Sequence, residues 1–299
     1  EWKGCAGKSY SGCKLFTDMI PVISDISKIR LTRWVFGWLF LVLLYQWSAS
    51  LMISQLESPV LLRVDLDLTY WFVHLTGIGE LFNTSYGAAL SFDILLTVLC
   101  LIAAVFPKRI LFPILAGCFF LVYCVLLNSY QCWHYHNLIT LILLIVPFCF
   151  KSPKTFSVLF AGVRYAVAYI YASAAIWKLV RGSVFNEGQM QWLIEHNYVD
   201  RLAVDGYQLN FLENAMFQLS TYPTLSSVAL IIGVVMEASF LVAFFTRKFD
   251  RYLIVIGVVF HLITAILVDV SFLQLWILFL VFIPPDRIAS SPRKWLAKA

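Results

Sequence analysis

Apolar residues occur in this chain as long continuous runs. They do not form the narrow stripes of a soluble helix or the alternation of a half-buried strand. Eight runs stand out, at 34–53, 86–106, 110–127, 135–150, 156–180, 225–245, 252–268 and 272–283. A helix needs about 20 mostly apolar residues to cross the hydrocarbon core of a bilayer. The pattern therefore predicts an all-α fold, a polytopic bundle of about eight transmembrane helices. The last run is short, and Pro284 and Pro285 stop it as helix breakers. The short alternating segments of an outer-membrane barrel are not seen. Residues 1–29 read as a leader, 30–285 as the bundle and 286–299 as a tail. Two long connections, 54–85 and 181–224, interrupt the bundle.

Composition agrees with this layout. The chain is 61% hydrophobic, 16% aromatic and only 13% charged, whereas soluble chains carry about 25% charged residues. Its mean hydropathy of +0.82 shows that the excess is spread along the whole length. A secreted disulfide scaffold, a disordered chain and an ordinary soluble enzyme are excluded. Nearly all of the 299 residues are used in the bundle, so no large extramembrane domain is expected. The first residue is Glu1 rather than Met, so further N-terminal residues are expected to precede it.

The net charge of +5 reports topology, and nucleic acid is not an expected partner. With eight alternating spans, Lys and Arg collect on one side: Lys28, Arg30 and Arg33 before the first run, then Lys108, Arg109, Lys151 and Lys154. Arg247, Lys248, Arg251, Arg287 and Arg293 follow the later runs on that same side. The other side holds Arg63, Arg181 and Arg201 among many carboxylates. This is the positive-inside bias, and it predicts that both termini are cytoplasmic. The expected setting is a multi-pass membrane protein, with the lipid bilayer as its first partner.

The two long outer connections carry amphipathic stretches at 68–75 and 190–194. Tyr70, Trp71 and Trp192 suit headgroup level. These segments either form a functional lid or simply cap the bundle. Of seven cysteines, Cys100, Cys118, Cys124 and Cys149 lie in apolar runs as small hydrophobes. Cys5 and Cys13 match neither a zinc knuckle nor a redox pair, and no metal site is expected elsewhere.

An ionisable group at membrane depth costs about 2.5–3.5 kcal/mol on insertion scales and calls for a reason. The candidates are Asp93, His136, Arg164, Lys178, Glu237, His261 and Asp269. Arg164 is expected to snorkel at the cytoplasmic side, and Asp93 and Asp269 to reach the outer interface. Lys178 lies at the outer end of the fifth run, and Tyr171, seven residues earlier, shares its helix face. His136 opens the fourth run, after Trp133 and His134, on that same outer side. Desolvation disfavours the ammonium form of a buried amine, so Lys178 is a candidate general base. The alternative is a topological anchor in the headgroups.

The same patches carry a family resemblance. Arg33-Trp34-Val35-Phe36-Gly37 resembles the Arg-x-x-Phe-Gly opening of the HTTM family, the membrane domain shared with vitamin K-dependent gamma-carboxylase. Trp133-His134-Tyr135-His136 is similar to that enzyme's Trp-Asn-Asn-His stretch. Tyr171 with Lys178-Leu179 and Gly188 resembles its Tyr-x6-Lys-Leu…Gly segment, and Phe260-His261-Leu262 its late Phe-His motif. The patches occur in family order and span most of residues 28–285.

The resemblance implies a base at Lys178 acting on a lipid quinol of the vitamin K or menaquinol type, with His136 orienting the quinol oxygen. It implies pocket neighbours at Tyr171, Trp177, His261, Trp133 and His134. His134 and Tyr135 stand where the carboxylase has paired asparagines, and that enzyme's large substrate-docking domain is not expected here. Short bacterial members, including the sporulation-delaying-protein B type, are closer in size. They imply modification or maturation of a secreted peptide, with a partner protein supplied in trans. The alternative is a non-catalytic membrane scaffold for toxin maturation or export. A small transporter fits less well, because inverted repeats are not apparent.

Overall fold

The computed structural model describes residues 22–56, 71, 75–129, 138, 140–186, 188–203, 208, 210–267, 272–284 and 287–288. Every regular element among them is helical. In chain order they are α1 (Asp25–Ser48), α2 (Tyr86–Val105), α3 (Leu111–Ser129), α4 (Thr140–Ile145) and α5 (Pro153–Val180). Then follow α6 (Gln189–Leu202), α7 (Phe211–Ser220), α8 (Pro223–Ala238) and α9 (Asp250–Leu267). The set is completed by a short helix, Ile78–Thr84, and five 3-10 stretches: Ile53–Gln55 follows α1, Val146–Cys149 prolongs α4, Ser183–Phe185 follows α5, Ser239–Phe244 prolongs α8, and Leu273–Phe282 closes the bundle.

Five stretches are long and apolar enough to cross a membrane: Asp25–Gln55, Tyr86–Val105, Pro153–Val180, Pro223–Phe244 and Asp250–Leu267. Leu111–Leu127 and Thr140–Cys149 are apolar but shorter. Each of the eight apolar runs thus coincides with a helical element, while length and composition qualify five as spans. The last run is wound as a 3-10 helix. At a rise of about 2.0 Å per residue it reaches further than an α-helix of equal length, which rises about 1.5 Å. Only 22% of the best window in Pro223–Phe244 is buried, yet its mean hydropathy is 2.3. A helix that stays apolar on its outward face is one solvated by lipid. The protein is a multi-pass membrane protein.

Local chemistry sets the helix ends. Ser24, Ser85 and Ser152 cap α1, α2 and α5, each side chain accepting the backbone N–H three residues on. Pro153 and Pro223 open their helices, where the missing N–H is harmless. Beyond α5, Gly182 takes a left-handed φ of 69°, which favours glycine and turns the chain out of the helix.

α1 packs along α2 and α2 along α3, while α5 lies against α8, Ser239–Phe244 and the closing 3-10 helix. Ring contacts run through the interior from Phe36 to Phe148 (5.9 Å), Phe156 (5.2 Å) and Phe160 (5.6 Å). At one end Lys28 Nζ donates to the Phe150 carbonyl (2.6 Å), Ser157 Oγ accepts from Ile23 N (2.7 Å), and Arg30 donates to the Ile288 carbonyl (2.8 Å). These bonds bind α1 to α5 and to the C-terminal segment.

Two expectations need correction. Arg164 does not snorkel: it is 1% exposed and grips Asp250 through Nε (3.0 Å) and Nη2 (2.6 Å). It also donates to the Ala243 (2.7 Å) and Thr246 (3.0 Å) carbonyls, which tie the turn between α8 and α9 to α5. A fully paired guanidinium is stable where a lone one is not. Asp93 is also fully buried. Its carboxylate accepts from the backbone of Ile53 (3.3 Å) and Ser54 (2.7 Å), satisfying donors where the chain leaves α1. Asp269 lies outside the described residues.

Candidate functional site

α5 presents Ala168, Tyr171, Ala172 and Ala175 as a buried face, and small residues allow neighbouring helices to approach closely. Tyr171 is the one large side chain on it. Its ring stacks on Phe240 at 4.3 Å and 17° and lies 6.0 Å from Phe279. Its hydroxyl is 2.5 Å from His261 Nε2 on α9. His261 is 4% exposed, and its Nδ1 has no partner among the described residues. The two residues that the sequence placed 90 positions apart as pocket neighbours are in direct contact.

Beside this pair lies a cavity of about 130 Å³. Thr140, Tyr171, Ala174, Phe260, His261 and Phe272 line it, with aliphatic side chains from α5 and the closing 3-10 helix. Its walls are apolar apart from these hydroxyl and imidazole groups.

Lys178 follows Ala174 by one helical turn and so stands just beyond the cavity on the same face of α5. Its Nζ lies 2.6 Å from both carboxylate oxygens of Glu237 on α8. The side chains are 37% and 6% exposed respectively. A charge-assisted contact of this kind is short and strong, more so away from water. Glu237 is three residues before Phe240, on the helical run that stacks against Tyr171, and its charge is within electrostatic reach of the Tyr171 hydroxyl. Two polar pairs therefore follow one another along α5: Tyr171–His261 at the cavity and Lys178–Glu237 two turns further on.

Trp177 lies elsewhere. It is 54% exposed and carries the Arg181 guanidinium over its ring at 4.6 Å, and it does not line the cavity. Trp133, His134 and His136 lie outside the described residues. Glu237 stood among the ionisable groups at depth without a site role; its signal was present, since a carboxylate inside a span needs a cation at similar depth. Thr140, Phe240 and Phe279 had no signal, because their types are common in membrane helices.

In the long connection at 181–224, α6 buries Met190 and Ile194 and exposes Trp192 (56%), which stacks on His196 at 4.9 Å and 8°. The amphipathic stretch read at 190–194 is thus part of a helix, packed against α7 and α8. Among the described residues no cluster of His, Cys, Asp and Glu is arranged to hold a metal.

Comparison with known protein families, with characterised proteins and with solved structures finds no match to this chain.

Proposed function

We propose that the protein is a membrane-embedded enzyme of the gamma-carboxylase-like HTTM type. In this proposal it crosses a bacterial cytoplasmic membrane eight times with both termini inside, and it acts on a secreted peptide presented from outside. The observation that carries the proposal is the position of Lys178, one turn beyond an aromatic cavity whose polar lining includes the Tyr171–His261 pair.

The residues present fit a quinol-type ring. The cavity walls are apolar and aromatic, and among the described residues one ring nitrogen of His261 beside them has no partner. When bound, a quinol would supply the reducing equivalents that, with oxygen, drive modification of the peptide. Lys178 serves as base once its ammonium proton passes to a Glu237 oxygen, leaving a free amine beside a neutral carboxyl group. The amine then takes one proton from a hydroxyl brought to it, forming an N–H bond as that O–H bond breaks. Tyr171 orients His261, the aromatic walls exclude water, and His136 is assigned to orient the reacting oxygen.

Lys178→Ala tests the proposal in cells that depend on maturation of the secreted peptide. The expected result is loss of maturation with normal expression and membrane insertion. Full activity in that variant overturns the enzyme reading.

One observation favours a second reading, a non-catalytic scaffold. Lys178 already engages both oxygens of Glu237, as a purely structural ion pair would, and the outer connection exposes Phe185 (77%), Trp192 (56%) and Phe211 (91%). A scaffold tolerates joint replacement of Lys178 and His136 and does not tolerate changes at these exposed aromatic positions.

A further inference from the structure

We propose that the cavity between α5, α9 and the closing 3-10 helix binds a single six-membered ring bearing a hydrogen-bond-accepting oxygen, and that His261 Nδ1–H donates to that oxygen. This deepens the quinol-type proposal for the same pocket. It rests on that proposal for the ligand's class and not on Lys178 as base.

The donor is assigned by counting protons. A phenol hydroxyl has one proton to give, and among the described residues its hydrogen-bonding partner is His261 Nε2. If Nε2 carried the hydrogen, the phenol oxygen would accept it, and both the phenol proton and the Nδ1 lone pair would be left without a partner among the described residues. Tyr171 therefore donates, Nε2 accepts, and the neutral imidazole carries its proton on Nδ1. That Nδ1 is buried and faces no acceptor among the described residues. A buried donor without an acceptor is rare in native structures, and each instance calls for an explanation. An acceptor brought by a ligand supplies one.

The ring is assigned by size and lining. About 130 Å³ is close to the roughly 150 Å³ dry cavity that takes up benzene. It accommodates one ring, so a two-ring quinol of the vitamin K or menaquinol type would seat only its oxygen-bearing ring there. Phe260 and Phe272 lie 5.5 Å and 5.4 Å from the His261 ring, so an apolar ring would meet aromatic walls on more than one side. Apart from the Thr140 and Tyr171 hydroxyls the remaining lining is aliphatic, and His261 Nδ1 is the buried lining nitrogen without a partner among the described residues, which assigns it to select for oxygen.

The probe is tetramethyl-1,4-benzoquinone, whose fully substituted ring does not add thiols, set against its oxygen-free counterpart 1,2,4,5-tetramethylbenzene. Both are titrated at equal concentration in the micelle against the purified full chain, with the rise in Tm as readout. The quinone is expected to bind about tenfold more tightly, the size of one good hydrogen bond. His261→Leu should erase that preference. Tyr171→Phe frees the tautomer and should reduce it, and this variant serves where His261→Leu does not fold. Lys178→Ala should leave it intact, so a failed base assignment and a failed ring site give different results. Equal binding of the two rings, no binding of either, a preference unchanged in both pocket variants, or a preference lost in Lys178→Ala each overturns the proposal.

Discussion

Lys178 and Glu237 are joined across α5 and α8 with the ammonium nitrogen 2.6 Å from both carboxylate oxygens. Lys178 follows Ala174, a lining residue of the cavity, by one helical turn, and the packing of α8 on α5 brings Glu237 to it. The carboxylate is the buried member of the pair and the lysine the part-exposed one. A carboxylate held inside a span with its cation removed would be the costlier loss.

Glu237→Gln keeps the shape of the side chain and removes its charge and its ability to take the ammonium proton. Under the proposed function, peptide maturation is expected to fall about 100-fold or more, the usual scale of a general-base contribution. Melting in detergent should show only a small change. Activity close to wild type would show that Lys178 works without this carboxylate.

Lys178→Met leaves Glu237 buried and unpaired and should destabilise the protein by up to about 3 kcal/mol, the lower end for a broken buried pair because the lysine is part exposed. Adding Glu237→Leu should restore most of that loss while leaving activity absent. Recovery of stability without recovery of maturation, measured on the same preparations, separates structural from chemical roles.

Asp250→Ala strands the Arg164 guanidinium at 1% exposure and should cost about 3–5 kcal/mol. The paired change Arg164→Met with Asp250→Leu should recover much of it, since apolar replacements for a buried pair are often near neutral. Thermal melting of the three proteins decides the point.

Gly257→Ala should destabilise by about 1–3 kcal/mol through overpacking. A methyl group there collides with the ring of Phe279, which itself stands against Tyr171 and His261. Phe279→Leu in the same chain should relieve the clash. The melting temperature of the double variant should therefore exceed that of Gly257→Ala alone.

Asp93→Asn replaces one of two acceptor oxygens with a donor that opposes a backbone N–H. Amide hydrogen exchange at Ile53 and Ser54 should quicken while the centre of α1 is unaffected. Unchanged exchange at those two positions would show that Asp93 does not secure the end of α1.

The apolar runs were legible because crossing a bilayer demands a long apolar stretch with its backbone bonded internally, and five of the helices found are long and apolar enough to cross one. That constraint is local, so composition alone places the helices and marks Lys178, Glu237 and His261 as expensive residues in need of partners. Which partner each takes is a different matter. Arg164 and Asp250, 86 positions apart, meet because α5 packs on the turn after α8, and nothing in either local sequence says so. Tyr171 meets His261, and Lys178 meets Glu237, through the lateral packing of α5, α8 and α9. Lateral packing among helices that are apolar on all sides is driven by close fit and a few polar contacts, which leave little trace in a hydropathy pattern. The cavity is likewise a gap between helices, created where Tyr171, Phe260, Phe272 and their neighbours fail to fill the space. Sequence thus settled what is in the membrane, and packing settled which of its few polar groups touch.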